Sequence, residues 1–172
     1  IGQGYVLSSP LQLAIMAGRL ATGRSITPRL VRAVDSYEEP SGAGESIGLN
    51  ENYLRRIRNA MGDVSNHSRG TAYRSRINAS AMKMAGKTGT SQVRRITAEE
   101  RARGVPRNED LPWERRDHAL FVSFAPVENP RFAVAVVVEH GGGGSTAAAP
   151  IARDIMLQAL YDGEPPLDAY PS

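Results

Sequence analysis

The sequence predicts an α+β domain, an antiparallel β-sheet with helices packed on it. Two strand-like runs, 118–126 (HALFVSFAP) and 131–139 (RFAVAVVVE), are joined by only four residues, Val127-Glu128-Asn129-Pro130, as in a β-hairpin. A third strand candidate, 81–93, lies shortly before them. Helical patterns precede and follow the strands but do not separate the last two, which argues against a doubly wound parallel sheet. With 172 residues, 41 % of them hydrophobic, the chain is one domain's worth with enough apolar residues for a core. The longest apolar run, Phe132–Val138, is seven residues, strand length and far short of the ~18 a membrane-crossing helix needs. Cysteine is absent, which excludes a disulfide scaffold, a thiol nucleophile and cysteine-held metal.

In chain order, the first helix spans 8–23, with Ser8 or Ser9 as cap, Pro10 in the first turn and Gly23 at the exit. Leu11, Ile15 and Leu20 form its apolar face. Residues 26–36 read as a short extended piece, and 37–48, with Pro40, Gly42, Gly44 and Gly48, as a loop. A second helix runs from its cap Asn50 to Gly62, with Tyr53, Leu54, Ile57, Ala60 and Met61 facing inward. After the polar 63–80 stretch comes the 81–93 strand, then 94–117, where 13 of 24 residues are charged, as in a solvated surface loop. Ala133–Val138 is apolar on both faces, which predicts a central strand. Gly141–Gly144 makes a turn into a last helix carrying Ile151, Ile155, Met156, Ala159 and Leu160, and residues 164–172 read as a flexible tail.

The charge pattern draws attention to one segment. Of 21 cations only Lys83 and Lys87 are lysines, and the arginines are interleaved with 18 acids for a net charge of +3. Lys87 opens Lys87-Thr88-Gly89-Thr90. On a strand, alternation places Lys87 and Gly89 on one face and Thr88 and Thr90 on the other. A glycine inside a strand marks close backbone approach. An ammonium, two hydroxyls and exposed main-chain N–H groups make a receptor for a carboxylate and for a developing oxyanion. Lys87 is the candidate catalytic residue; Thr88, Gly89 and Thr90 are the candidate substrate-binding residues.

K-T-G is also an element of the penicillin-recognising serine acyl-transferases, where it accompanies S-x-x-K and S-x-N. Its surroundings resemble the class B penicillin-binding proteins, in the branch that serves cell elongation. The resemblance rests on Ile1-Gly2-Gln3-Gly4-Tyr5, Ser9-Pro10-Leu11-Gln12-Leu13-Ala14, Gly70-Thr71-Ala72, Ala85–Val93, Asp117-His118-Ala119-Leu120-Phe121, Phe124-Ala125-Pro126 and Glu139-His140-Gly141-Gly142. It implies a partial penicillin-binding-protein/β-lactamase-like transpeptidase fold, with 1–163 as the C-terminal portion of the domain. It implies that Lys87 sits beside a nucleophilic serine, that Thr88 and Thr90 bind the carboxylate of a D-alanyl terminus or a β-lactam, and that the Thr90 N–H completes an oxyanion hole. The implied partners are peptidoglycan stem peptides, β-lactam antibiotics, the N-terminal half of the same domain and cell-elongation membrane proteins. No nucleic acid, metal or organic cofactor is implied, and the implied location is the periplasmic side of the bacterial inner membrane, with the anchor outside this chain.

The nucleophile itself is not legible. Ser80-Ala81-Met82-Lys83 matches S-x-x-K literally, but Ser80 lies seven residues before Lys87 and leads into the same strand, so it cannot cap a buried helix facing that strand. No serine is followed two positions later by asparagine. The chain therefore reads as a receptor strand without its serine, inactive alone. Two other readings stay open. Gly86-Lys87-Thr88 could end a phosphate-binding loop, although position 81 is Ala where that motif needs Gly. Arg94-Arg95, Arg115-Arg116 and Arg55-Arg56-Arg58 could serve a non-enzymatic binding module. His67, His118 and His140 lack metal-ligand spacing, and His118 starts a strand beside the charged loop, close in sequence to the candidate site.

Overall fold

The computed structural model describes residues 6–38 and 44–171. Ile1–Tyr5, quoted above for its resemblance, and Pro40 and Gly42 of the expected loop lie outside the described residues.

Helix α1 (Pro10–Thr22) starts at Ser9, whose hydroxyl accepts from the Gln12 N–H while the Gln12 side chain accepts from the Ser9 N–H, and stops at Gly23 in the left-handed conformation. A two-stranded hairpin follows, β1 (Ala33–Val34) and β2 (Tyr37–Glu38), where one extended piece is expected from the sequence. Helix α2 (Glu51–Asn66), capped by Asn50, runs four residues past Gly62. The main sheet holds β3 (Ala85–Ser91), β4 (His118–Ala125) and β5 (Phe132–Val138), antiparallel throughout in the order β3-β4-β5. Between β3 and β4 lies α3 (Ala98–Arg103). A π turn, Gly144–Ala148, leads into α4 (Ala149–Tyr161).

The sheet lies between helical layers, and alternation along its strands assigns its faces. Phe121, Ala119 and Val136 share a core with Ala148, Ala149, Ala152, Met156 and Leu157 of the α4 side. Phe124, Ala85 and Ala133 point the other way, onto Leu20, Ala21 and Met61 of α1 and α2. Phe121 and Phe124 are both fully buried, and burying each is worth about 1.5–3 kcal/mol, so β4 is held from both faces.

Several expectations are corrected. Among the described residues the central strand is β4 and β5 lies at the edge of the sheet, apolar on both faces because helices cover both. The sheet-facing side of α1 is Ala17, Gly18 and Ala21, while Leu11 is exposed, because small residues let the helix axis approach the strands. On α2 only Leu54, Met61 and Ser65 are buried, and Tyr53, Ile57 and Ala60 face solvent. On α4 Ile151 and Ile155 are exposed, and Ala149, Ala152, Met156, Leu157 and Leu160 are buried. The end of the chain, expected to be a flexible tail, is docked over residues 167–170: Asn78 donates from its backbone to the Ala169 carbonyl (2.9 Å) and from its side chain to the Tyr170 carbonyl (2.7 Å), with Ala169 buried in the core.

Candidate functional site

The four residues singled out from the sequence lie in register on β3, the edge strand of the sheet. Lys87 faces Val122, Thr88 faces Phe121, Gly89 faces Leu120 and Thr90 faces Ala119 across the β3–β4 ladder. Main-chain groups along the other side of β3 have no strand partner among the described residues, so an extended peptide can add there by backbone pairing. Lys87 is exposed, and its ammonium donates to the Thr88 carbonyl at 2.6 Å. Thr88 is half-buried, with its hydroxyl 3.1 Å from that of Thr71.

Three glycines set how this strand sits. A Cβ on Gly86 would fall 2.4 Å from the Phe121 ring and 2.8 Å from the Val122 carbonyl. Gly144, in the π turn, packs on the back of the strand: a Cβ there would lie 2.3 Å from the Leu120 oxygen, 2.5 Å from the Gly89 oxygen and 3.0 Å from the Gly89 nitrogen. At Gly89 itself an added Cβ would lie 3.2 Å from the Leu120 Cβ. Of the Gly141–Gly144 run, Gly144 thus packs against β3 and β4, while Gly141 abuts Val138 of β5.

Thr71 was not singled out from the sequence, although the tripeptide holding it was quoted for its resemblance. The chain turns tightly after α2, with the Gly70 N–H donating to the His67 carbonyl (2.7 Å) and the Ala72 N–H to the Val64 carbonyl (2.9 Å). Position 70 has no room for a side chain, since a Cβ would meet the Asp63 and Val64 carbonyl oxygens within 2.4 Å. This turn delivers Thr71 to Thr88.

His118 faces Ser91 at the far end of the receptor strand. Its Nδ1 accepts from the His140 backbone N–H (2.9 Å), the two imidazoles meet edge-on at 4.7 Å, and the Trp113 ring packs tilted against His140 at 4.4 Å. The pair braces the sheet end. Among the described residues no group of three or more His, Cys, Asp or Glu side chains could hold a metal ion.

The 94–117 segment is folded rather than simply solvated. Arg94 pairs with Glu100 at 2.7 Å, Thr97 caps α3, and Asn108 exchanges two hydrogen bonds with Asp117. The Thr97 backbone N–H and, beside it, the Arg94 guanidinium hold the Glu100 carboxyl below its ordinary range. A lowered carboxyl stabilises its loop above the ordinary value, and that support is lost as pH falls through the lower value. The Thr97 amide resonance of this chain should therefore keep its hydrogen-bonded shift through the normal glutamate range and lose it only at more acid pH. A transition at the ordinary glutamate value would refute this.

The remaining readings separate here. Residues 85–91 are strand throughout, and no helix starts at Lys87, so the phosphate-binding-loop reading of Gly86-Lys87-Thr88 is excluded. Ser80 and Lys83 are exposed at a 3₁₀ turn (Ser80–Met82) beside an open groove of about 520 Å³, not at the start of a buried helix. Of the arginine patches, Arg58 is tied to Glu51 and the Leu20 carbonyl, Arg94 to Glu100, and Arg116 to the Leu111 carbonyl. No helix among the described residues is long and apolar enough to cross a membrane.

An antiparallel sheet between helical layers, with Lys-Thr-Gly-Thr along an edge strand, carries the K-T-G element of the penicillin-recognising α+β domains. Comparison with known proteins agrees. The family model "Penicillin binding protein transpeptidase domain" matches residues 1–157, and the chain belongs to that family. It is 33 % identical over 176 residues to the peptidoglycan D,D-transpeptidase MrdA of Haemophilus influenzae, an alignment covering 99 % of this chain and 26 % of that protein. It superposes on PBP2 of Pseudomonas aeruginosa, solved in complex with WCK 5153, with TM-score 0.71 and 35 % identity, over 100 % of this chain and 34 % of that one. Helicobacter pylori PBP2, solved in complex with MreC, gives 0.68 and 33 %, over 94 % of this chain and 26 % of that one. The chain spans about a quarter of the length of the curated relatives it matches.

Proposed function

We propose that this chain is the receptor-strand portion of a serine-type peptidoglycan D,D-transpeptidase, a domain that cross-links stem peptides and is acylated by β-lactams. The observation that supports it best is Lys87-Thr88-Gly89-Thr90 laid along the open edge of the sheet in a member of this family. The acyl donor adds antiparallel to β3, with its terminal carboxylate on the Thr88 and Thr90 hydroxyls. The serine of the other half of the domain attacks the penultimate D-Ala carbonyl. Its oxygen forms the ester, the bond to the terminal D-Ala nitrogen breaks, and the leaving amine takes the proton. Lys87 holds positive charge and assists that transfer, and the Thr90 N–H donates to the oxyanion. An amine of a second stem peptide then attacks the ester and releases the serine.

On this reading residues 1–163 are the C-terminal portion of the domain and 94–117 overhangs the groove. The assembled enzyme works on the periplasmic side of the inner membrane with cell-elongation membrane proteins. Since this chain holds K-T-G without a usable S-x-x-K, it forms no acyl-enzyme alone. Intact mass spectrometry after incubation with benzylpenicillin tests this: the chain alone should stay at its own mass, and the domain completed with the serine-bearing half should gain one penicilloyl group. An adduct on the chain alone, or none on the completed domain, would overturn it.

Thr71→Val removes the hydroxyl beside Thr88 at nearly constant shape. In the completed domain the expected result is a rise of about fivefold in KM for a donor with a free terminal carboxylate, the scale of one neutral hydrogen bond. Thr71→Ser should restore it. Equal loss with a donor amidated at its terminus would show that Thr71 acts on the fold instead.

A further inference from the structure

Resting on that reading, we infer that His118 is a positioning residue for acylation, acting through the turn at 140–144 on the peptide plane that carries the Thr90 N–H. His118 opens β4 opposite Ser91, the last residue of β3. With its two predecessors it grips the chain that leaves β5. The His118 Nδ1 accepts from the His140 backbone N–H (2.9 Å), and the Asp117 carbonyl accepts from the Gly142 N–H (2.8 Å). The Arg116 carbonyl lies 2.9 Å from the His140 Nδ1. A carbonyl can only accept, so the His140 Nδ1 carries the proton; a backbone N–H can only donate, so the His118 Nδ1 is bare. His140 is left-handed (φ 54°), a conformation that residues other than glycine seldom adopt without local support.

The same turn then meets the receptor strand. Position 144 is buried, and a Cβ there would lie 2.5 Å from the Gly89 oxygen. That oxygen and the Thr90 N–H belong to one planar peptide, so whatever presses on the oxygen sets the direction of the N–H. A small tilt of this plane redirects the N–H and leaves the Thr88 and Thr90 hydroxyls nearly in place. In the proposed reaction the N–H stabilises the oxyanion and the hydroxyls hold the carboxylate. Loosening the grip at His118 should therefore slow the chemical step more than it weakens binding. A mere brace of the sheet end needs the bulk of the imidazole, whereas positioning needs an acceptor at Nδ1.

The test uses the completed domain and two variants that separate these roles. His118→Asn places its Oδ1 where Nδ1 stands, and His118→Gln places its Oε1 one bond farther out, where Nε2 stands. The wild type should be acylated by benzylpenicillin. His118→Gln should lower the first-order acylation constant about tenfold, a part of the roughly 10²–10³-fold that loss of a whole oxyanion donor costs. The dissociation constant of the complex before acylation should change less than about twofold, and His118→Asn should keep the wild-type rate within about twofold. Equal rates for the two variants overturn the inference, as does a loss carried by the dissociation constant. So does failure of either variant to fold, because position 118 would then hold the fold and not the rate. A completed wild-type domain that benzylpenicillin does not acylate overturns the underlying function, and the inference falls with it.

Discussion

In the completed domain, Lys87→Ala should lower the rate of acylation by benzylpenicillin about 10²–10⁴-fold, the usual contribution of a positioned proton-transfer group. The melting temperature should stay within a degree or two. The two expectations separate because the side chain is exposed and its ammonium donates only to the neighbouring Thr88 carbonyl, so its removal opens no cavity and strands no buried partner. Lys87→Arg tests how the lysine acts. It keeps the charge but replaces a compact ammonium, able to give up a proton, with a planar group that does not. If charge alone mattered, Arg would rescue most of the rate. A role in proton transfer predicts that Arg stays within tenfold of Ala. Stopped-flow acylation with a chromogenic β-lactam, paired with thermal unfolding, reads both. A loss under tenfold for Lys87→Ala would remove Lys87 from the chemistry.

The second large effect lies behind the strand. Gly144→Ala should destabilise the chain by about 3 kcal/mol, at the upper end of overpacking costs. The added methyl meets the Leu120 and Gly89 oxygens and the Gly89 nitrogen, main-chain atoms of two paired strands that cannot rotate away. Gly62→Ala is the control: no atom lies within 4 Å of a Cβ there, and the position is inside α2, so the change should be neutral or stabilising by up to about 1 kcal/mol. Denaturant unfolding of the isolated chain compares them. Equal midpoints for the two variants would show that the π turn yields and that β3 is not pinned from behind.

What was legible in the sequence had local causes. Ser9 and Gly23 bound α1 because a cap and a left-handed exit are one-residue devices. Strands β4 and β5 stood out because the runs that hold them, 118–126 and 131–139, are rich in β-branched and aromatic residues and are joined by only four residues. Lys87-Thr88-Gly89-Thr90 was readable because its residue types are unusual together in a chain with only two lysines. What was missed had non-local causes. The order of the strands depends on which helix covers which face, and the α1 face is made of Ala17, Gly18 and Ala21, invisible to a search for large apolar side chains. Thr71 reaches Thr88 across 17 positions, and the tail is held by Asn78 from 92 positions away. The outward Tyr53, Ile57, Ile151 and Ile155 show that helical spacing of apolar residues identifies a helix without saying which of its sides the rest of this chain covers.

The contact between Gly89 and Gly144 also bears on how this site can change over generations. On the proposed function, selection by β-lactams acts along β3, where Lys87, Thr88 and Thr90 can each be exchanged at a cost in activity. The backbone at position 89 has no such freedom, because position 144 occupies the space behind it. On that reading, a substitution at 144 would reshape the edge of β3 without touching the drug. Variants that escape a β-lactam through this region should therefore accumulate in the 94–117 segment, proposed to overhang the groove, and spare the glycine pair, and a deep mutational scan under β-lactam selection would show positions 89 and 144 as one silent, immovable unit.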